Sequence, residues 1–179
     1  MNSIYYAIKR SVLSDYPLDI EWDDNIIEGV FLTVYENVIE DHSHINNSYY
    51  SDGSGGRLIL NYLDHYVIIC FRFANRLYKL GMNQIADSIY YSMRVRGSID
   101  LFYTSNIGEC FMPVHALGTI MDSHAQYGKY FKIYDGCHIG PYSIVGKAPN
   151  EWIHPKFGDF VTMLAHSMVF GNSVIGNNV

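Results

Sequence analysis

The chain has 179 residues, about half of them apolar, and a net charge of −6. That length holds one compact unit or two small ones, with apolar side chains enough for a core. The acidic balance leaves no excess of lysine and arginine to neutralise phosphates, which excludes nucleic acid as the expected partner.

Ile4, Ala7, Ile8, Ser11 and Val12 fall on one face of a first predicted helix. Asp15-Tyr16-Pro17 ends it, because the residue before proline is driven out of the helical region. A second helix is expected from Asp24 to Asp41, with Ile27, Val30, Phe31, Val34 and Val38 as its apolar stripe. Asn46 to Gly56, rich in Asn, Ser, Tyr and Gly, reads as a loop. Leu58 to Leu80 reads as a long apolar helix with Gly81 at its C-terminal cap. Asn83 caps a fourth helix that runs to Arg96 and stops at Gly97. So much apolar helix surface makes helix-to-helix oligomer contacts an expectation. The 16 tyrosines fit either such an interface or a core.

Beyond Ser98 the pattern changes to a six-residue beat. It runs through Met121, Tyr127, Ile133, Ile139 and Val145, misses at Glu151, and resumes at Phe157, Met163, Val169 and Ile175. Glycine follows several of these positions, as at Gly128, Gly140, Gly146, Gly158 and Gly176. Four residues after a stop comes a small or β-branched side chain, among them Ala125, Cys137, Ser143, Val161 and Ser167. No helical or strand period explains such a beat. A triangular solenoid does: each hexapeptide supplies a short strand and a corner, the aliphatic residue fills the prism, and the residue four later must fit beside it. The missed stop lies in a segment, Lys147 to Lys156, that reads as a loop thrown out of the coil without loss of register. The expected fold class is therefore α+β, an α-helical domain over residues 1–97 followed by a parallel β-solenoid over 98–179.

The N-terminus shows no basic segment followed by an apolar run, so no signal peptide is expected. The longest apolar run, Tyr66 to Phe71, is too short to cross a bilayer. Cys70, Cys110 and Cys137 are odd in number and lack paired spacing, which fits reduced thiols and a cytoplasmic location. No acid or thiol falls at zinc-like spacing from the histidines, so no metal is expected.

Gly118-Thr119-Ile120, Ile133-Tyr134-Asp135-Gly136-Cys137-His138-Ile139-Gly140 and His154-Pro155-Lys156-Phe157-Gly158-Asp159 resemble the repeats of serine acetyltransferases. The segment Phe71 to Gly81 is similar to the helix that precedes the solenoid in that family, and Asp100 to Gly108 stands in the place of its Asp-Ile-His-Pro entry segment. The resemblance covers the chain from about residue 60 to its end. It implies a left-handed β-helix, acetyl-CoA as co-substrate, a small hydroxyl-bearing acceptor, and a homo-oligomer, trimer or dimer of trimers.

Residue by residue, the resemblance carries the catalytic base to His115 and the carboxylate that orients it to Asp100. Histidine suits a base for acyl transfer because its unperturbed pKa lies near neutrality. His154 matches a second histidine of the substrate site, and Asp52 is a candidate for an acid of the helical domain. Coenzyme contacts fall on Gly140, Gly146, Lys147 and Ala165. His124, His138 and His166 read as surface or subunit-contact residues, and Cys110 and Cys137 sit beside no pair that would activate a nucleophile.

The departures from the family pattern carry information too. Val114 stands where the family has an Asp that holds the amino group of serine, and Ile153 where it has an Arg for the carboxylate. A zwitterion needs opposite charges to offset its desolvation, which argues against free L-serine as acceptor. Leu164 and His166 replace glycines that let backbone approach a pantetheine arm, and the solenoid lacks the further partial coil and tail usual in the family. The expected function is an acetyl-CoA-dependent O-acetyltransferase, the alternative a catalytically degenerate homologue acting as an oligomeric scaffold.

Overall fold

The computed structural model describes residues 2–43 and 58–179. The expected loop at Asn46 to Gly56, and Asp52 within it, lie outside the described residues. The chain folds as two compact units, Met1–Gly97 and Ser98–Val179.

Among the described residues, the first unit holds four helices: α1 (Ser3–Asp15), α2 (Asp24–Ser43), α3 (Leu63–Lys79) and α4 (Asn83–Gly97). The Asn2 side chain caps α1 by accepting the N–H groups of Ile4 and Tyr5. The buried face of α1 is Tyr5, Ile8 and Val12, one position round from the expected stripe at its start. Tyr5 is drawn inward because its hydroxyl has partners: it donates to Asp24 Oδ1 at 2.6 Å and accepts from Trp22 Nε1 at 2.8 Å. In α2, Ile27, Phe31, Val34 and Val38 of the expected stripe are buried, while Val30, at its edge, is half-buried. Helix α3 begins five residues later than Leu58. A turn closed by Tyr62 N–H on Ile59 O precedes it, and the Ile59 N–H is given to His65 Nδ1. Gly81, at φ +79°, ends α3 as expected, with Met82 N–H reaching back to Leu77 O. Asp15 forms a two-point ion pair with Arg96 and accepts from Ser92, fastening the end of α1 to α4.

His65 makes this unit pH-sensitive. Burial, reinforced by the neighbouring His42, lowers its pKa from the ordinary histidine value of 6.5 to about 4. Between those values the unfolded chain binds a proton that the folded chain refuses, so stability rises with pH across this window and levels off above it. Thermal melts should show that rise, and His65→Asn, which keeps an acceptor for the Ile59 N–H, should flatten it. An unchanged slope in the variant would contradict the assignment.

The second unit is a three-faced left-handed β-helix. Face A holds β1 (Asp100–Leu101), β4 (Ile120–Met121), β7 (His138–Gly140) and β10 (Met168–Phe170). Face B holds β2 (Asn106–Ile107), β5 (Gln126–Tyr127), β8 (Lys156–Phe157) and β11 (Val174–Ile175), and face C holds β3 (Met112–Pro113), β6 (Lys132–Ile133) and β9 (Thr162–Met163). All ladder pairs are parallel, as the beat requires. Leu101, Ile107, Met121, Tyr127, Ile133, Ile139, Phe157 and Met163 fill the prism. Gly128 lies so close under the backbone of Gly158 that a Cβ would collide with it, which is why glycine follows the beat there.

Three expectations about the solenoid are corrected. The position four after a stop is not always small: Phe111 and Phe131 occupy it beside face C, fully buried and stacked at 6.4 Å, with Tyr127 and Phe157 closing round Phe131. His115 lies six residues before Met121 and so keeps the beat in sequence, which leads one to expect it inside the prism, but it is not on the inward face. Met112 pairs with Lys132 while Ile120 pairs with His138, so the first coil carries two residues more than the eighteen of the next. Pro113 takes the interior position, and the surplus is His115-Ala116. Finally, the loop is longer than expected. His138 pairs with Met168 and Gln126 with Lys156, so the excursion is twelve residues over a regular coil and occupies 141–155. Twelve is two hexapeptides, so Val145 kept the beat in sequence although it is fully exposed on the loop.

Candidate active site

His115 sits at the corner between faces C and A, in the connection from β3 to β4. The regular left-handed residues of that corner are Ser98, Gly118, Gly136 and His166. His115 and Ala116 add two more in succession, at φ +61° and +52°. Left-handed backbone costs a non-glycine residue on the order of 1 kcal/mol or more, and such strain concentrates where function demands a geometry. Here the bulge buries Ala116 and turns His115 out to solvent. Asp100 opens β1 on face A, in register with Ile120, with its N–H bonded to Thr119 O. The fold thus brings Asp100 and His115 to one corner. Ala165, exposed between β9 and β10, lies on the same corner two coils on.

His154 lies at the next corner, between faces A and B. It stands at the base of the 141–155 loop, which is an ordered excursion. Tyr142 and Ile153 form an antiparallel bridge across its stem, with N···O distances of 2.7 and 3.2 Å. Within it a short 3-10 turn at Pro149–Glu151 is held by the Lys147–Glu151 ion pair, and Trp152 Nε1 donates to Lys147 O. His154 Nδ1 is 2.7 Å from Asp122 Oδ2, and Nε2 is 2.9 Å from Pro149 O. His124 stacks on the His154 ring with centroids 5.0 Å apart. Asp122 in turn accepts the His124 N–H at 2.9 Å.

The expected site residues therefore divide between two corners of one solenoid, Asp100, His115 and Ala165 at the first, His154, Gly140, Gly146 and Lys147 at the second. Gly140 lets the half-exposed Phe170 ring lie against the backbone, since a Cβ there would come within 2.8 Å of it. Gly146 serves a turn at φ +80°, and the Lys147 amine is engaged by Glu151. Val114 is buried and Ile153 half-exposed on the loop stem. Asp122 was not singled out by the sequence, and His124 was read as a surface residue. The signal for Asp122 lies in the beat itself, since it follows the stop Met121 where several other coils place glycine. Burial pushes the Cys137 thiol up and its Sγ lies 3.1 Å from Leu164 O, while burial takes Cys70 to about 12. Neither is a thiolate nucleophile at neutral pH.

No family model matches the chain. A curated serine acetyltransferase of Synechococcus elongatus is 26% identical over 126 residues, 70% of this chain and 50% of that protein. The chain spans about half the length of the curated relatives it matches. Among solved structures, the serine acetyltransferase of Neisseria gonorrhoeae in complex with serine superposes with a TM-score of 0.72 at 22% identity, over 99% of this chain and 74% of that one. A serine acetyltransferase in complex with CoA gives 0.62 at 16% identity, over 84% of this chain and 58% of that one. In sequence and in fold, then, the chain is similar to the serine acetyltransferases.

Proposed function

We propose that the protein is an acetyl-CoA-dependent O-acetyltransferase acting on a small hydroxyl-bearing acceptor. The observation that carries this reading is the two-residue bulge that presents His115 to solvent at the corner it shares with Asp100, in a fold otherwise regular there. The CoA and serine complexes of similar folds support the choice of co-substrate and of a hydroxyl acceptor.

Bound acetyl-CoA supplies the activated acetyl carbonyl. His115 removes the proton from the acceptor hydroxyl as that oxygen bonds to the carbonyl carbon, and returns it to the departing thiolate sulfur. Asp100 orients the imidazole and balances its charge while it carries the proton. No acyl-enzyme is required.

Because His115 and His154 stand on different corners, a site using both takes them from two copies, with acetyl-CoA in the groove between neighbouring solenoids. That geometry supports a homo-oligomer with cyclic symmetry, a trimer or a dimer of trimers. Gly140, Gly146 and Lys147 would then line the groove from one copy and Ala165 from the other. Both ring nitrogens of His154 are committed within the chain, so its part is to fix the loop beside the acceptor rather than to donate a hydrogen bond to it. Among the described residues no helix is long and apolar enough to cross a membrane, and a cytoplasmic enzyme is the reading we adopt.

The acceptor follows from charge. Val114 and Ile153 offer no partner for an ammonium or a carboxylate group. A panel of hydroxyl compounds, assayed by release of free CoA thiol, should therefore rank L-serine below at least one uncharged acceptor. Serine as the best substrate would overturn the charge argument. A second reading, an oligomeric scaffold without turnover, is favoured by the His166 imidazole lying over Gly136 where a narrow acyl chain would need room. In that case the panel gives no thiol release with any acceptor.

A further inference from the structure

We propose that Asp122, His124 and His154 bind a divalent transition-metal ion of the zinc, cobalt and nickel class at the corner between faces A and B. One ligand atom of each lies within 4.8 Å of the other two. Asp122 and His124 come from a single turn after β4, and His154 comes from the next coil, so the fold assembles a set that linear spacing conceals. The Asp122 and His154 side chains are only 5% and 12% exposed, which removes much of the water that would otherwise compete for their donors.

The hydrogen bonding of His154 points independently to a cation. The Pro149 carbonyl can only accept, so Nε2 carries the hydrogen. A neutral ring then turns its Nδ1 lone pair at Asp122 Oδ2, 2.7 Å away, which sets two electron pairs against each other. Two acceptors facing one imidazole call for a positive charge there, either a second ring proton or a bound cation. An imidazole whose far N–H is given to a backbone carbonyl, with its other nitrogen aimed at the site, is the arrangement that orients metal-bound histidines.

His124 supplies the third ligand. Its Nδ1 is 3.9 Å from Asp122 Oδ1, and its side chain is about half exposed, so the ring can rotate inward. Tetrahedral bonds of about 2.0–2.1 Å place neighbouring donors roughly 3.3 Å apart, so the 2.7 Å contact between His154 and Asp122 opens slightly while His124 closes in from within 4.8 Å. Two imidazoles and a carboxylate suit zinc, cobalt and nickel, and leave one position open to solvent.

A second ring proton would satisfy the His154–Asp122 contact equally well, with His124 stacked beside it and its Nδ1 3.1 Å from Ser123 Oγ. Titration of the metal-free full chain with Co²⁺, followed by visible absorption, and with Zn²⁺, followed by calorimetry, separates the two. The expected result is one ion per chain with micromolar affinity. That affinity should weaken by roughly two orders of magnitude in His124→Ala and in Asp122→Asn. His166→Ala, at the other corner, should bind as the parent does. His124 is exposed, so its variant is expected to fold, which circular dichroism checks. No binding below millimolar Co²⁺, or affinity unchanged in His124→Ala, or equal loss in His166→Ala, would overturn the proposal. The readout involves no acetyl transfer and stands apart from the reading of His115.

Discussion

His115→Ala should lower acetyl transfer by about two to four orders of magnitude while leaving the solenoid folded. The size follows from the role: without a positioned base, the acceptor hydroxyl must lose its proton to water as it attacks. The fold should survive because the ring is exposed and replaces no core contact. Alanine also occupies left-handed backbone next door, at Ala116, so the bulge itself tolerates the change. Steady-state rates with the best acceptor, alongside a circular dichroism melt, check this. Activity within a fewfold of the parent would remove His115 from the mechanism.

Phe131→Ala should destabilise the solenoid by about 3–5 kcal/mol, the range for deleting a fully buried aromatic ring. Phe131 sits where Phe111, Tyr127 and Phe157 meet, with ring centroids 5.1 Å from both Tyr127 and Phe157. The coils above and below cannot collapse into the space, because their spacing is fixed by the ladder hydrogen bonds of three faces. Phe160→Ala provides the contrast. Phe160 stacks on Tyr130 at 4.5 Å but is half exposed, so its loss should cost only about 1 kcal/mol. Denaturant unfolding of both variants measures the difference, and equal midpoints would contradict the packing account.

Much of the architecture is legible in the sequence because its periods are simple. The six-residue beat announces three faces, and Ile27, Phe31, Val34 and Val38 announce the inner face of α2. What is not legible depends on registers that periodicity hides. The twelve-residue loop is two hexapeptides long, so it leaves the beat intact and disguises Val145 as an interior residue. The two-residue bulge misleads in a similar way. It leaves His115 on the beat in sequence, and only pairing partners reveal that Pro113 is the inward residue. The start of α3 is hidden for a local reason, since Leu58 to Tyr62 has helical composition but spends its backbone on a turn and on His65.

For the site, the resemblance pointed to His115, Asp100 and His154, and the fold then sorted them onto two corners. Asp122 escaped notice because nothing in the chain brings residues 122 and 154 together until the coils stack. The same stacking explains why spacing rules for metal ligands, built for short loops, miss Asp122, His124 and His154. The solenoid also gives glycine several meanings that the sequence does not separate. Gly128 serves close backbone approach, Gly140 the Phe170 ring and Gly146 a turn in the loop.

The central claim, that this solenoid is an acetyl-CoA-dependent transferase, is tested most directly by calorimetric titration of the purified full chain with acetyl-CoA and with CoA. The account predicts saturable binding of both at micromolar concentration. No heat of binding at millimolar ligand would contradict it and would leave the oligomeric scaffold as the function to pursue.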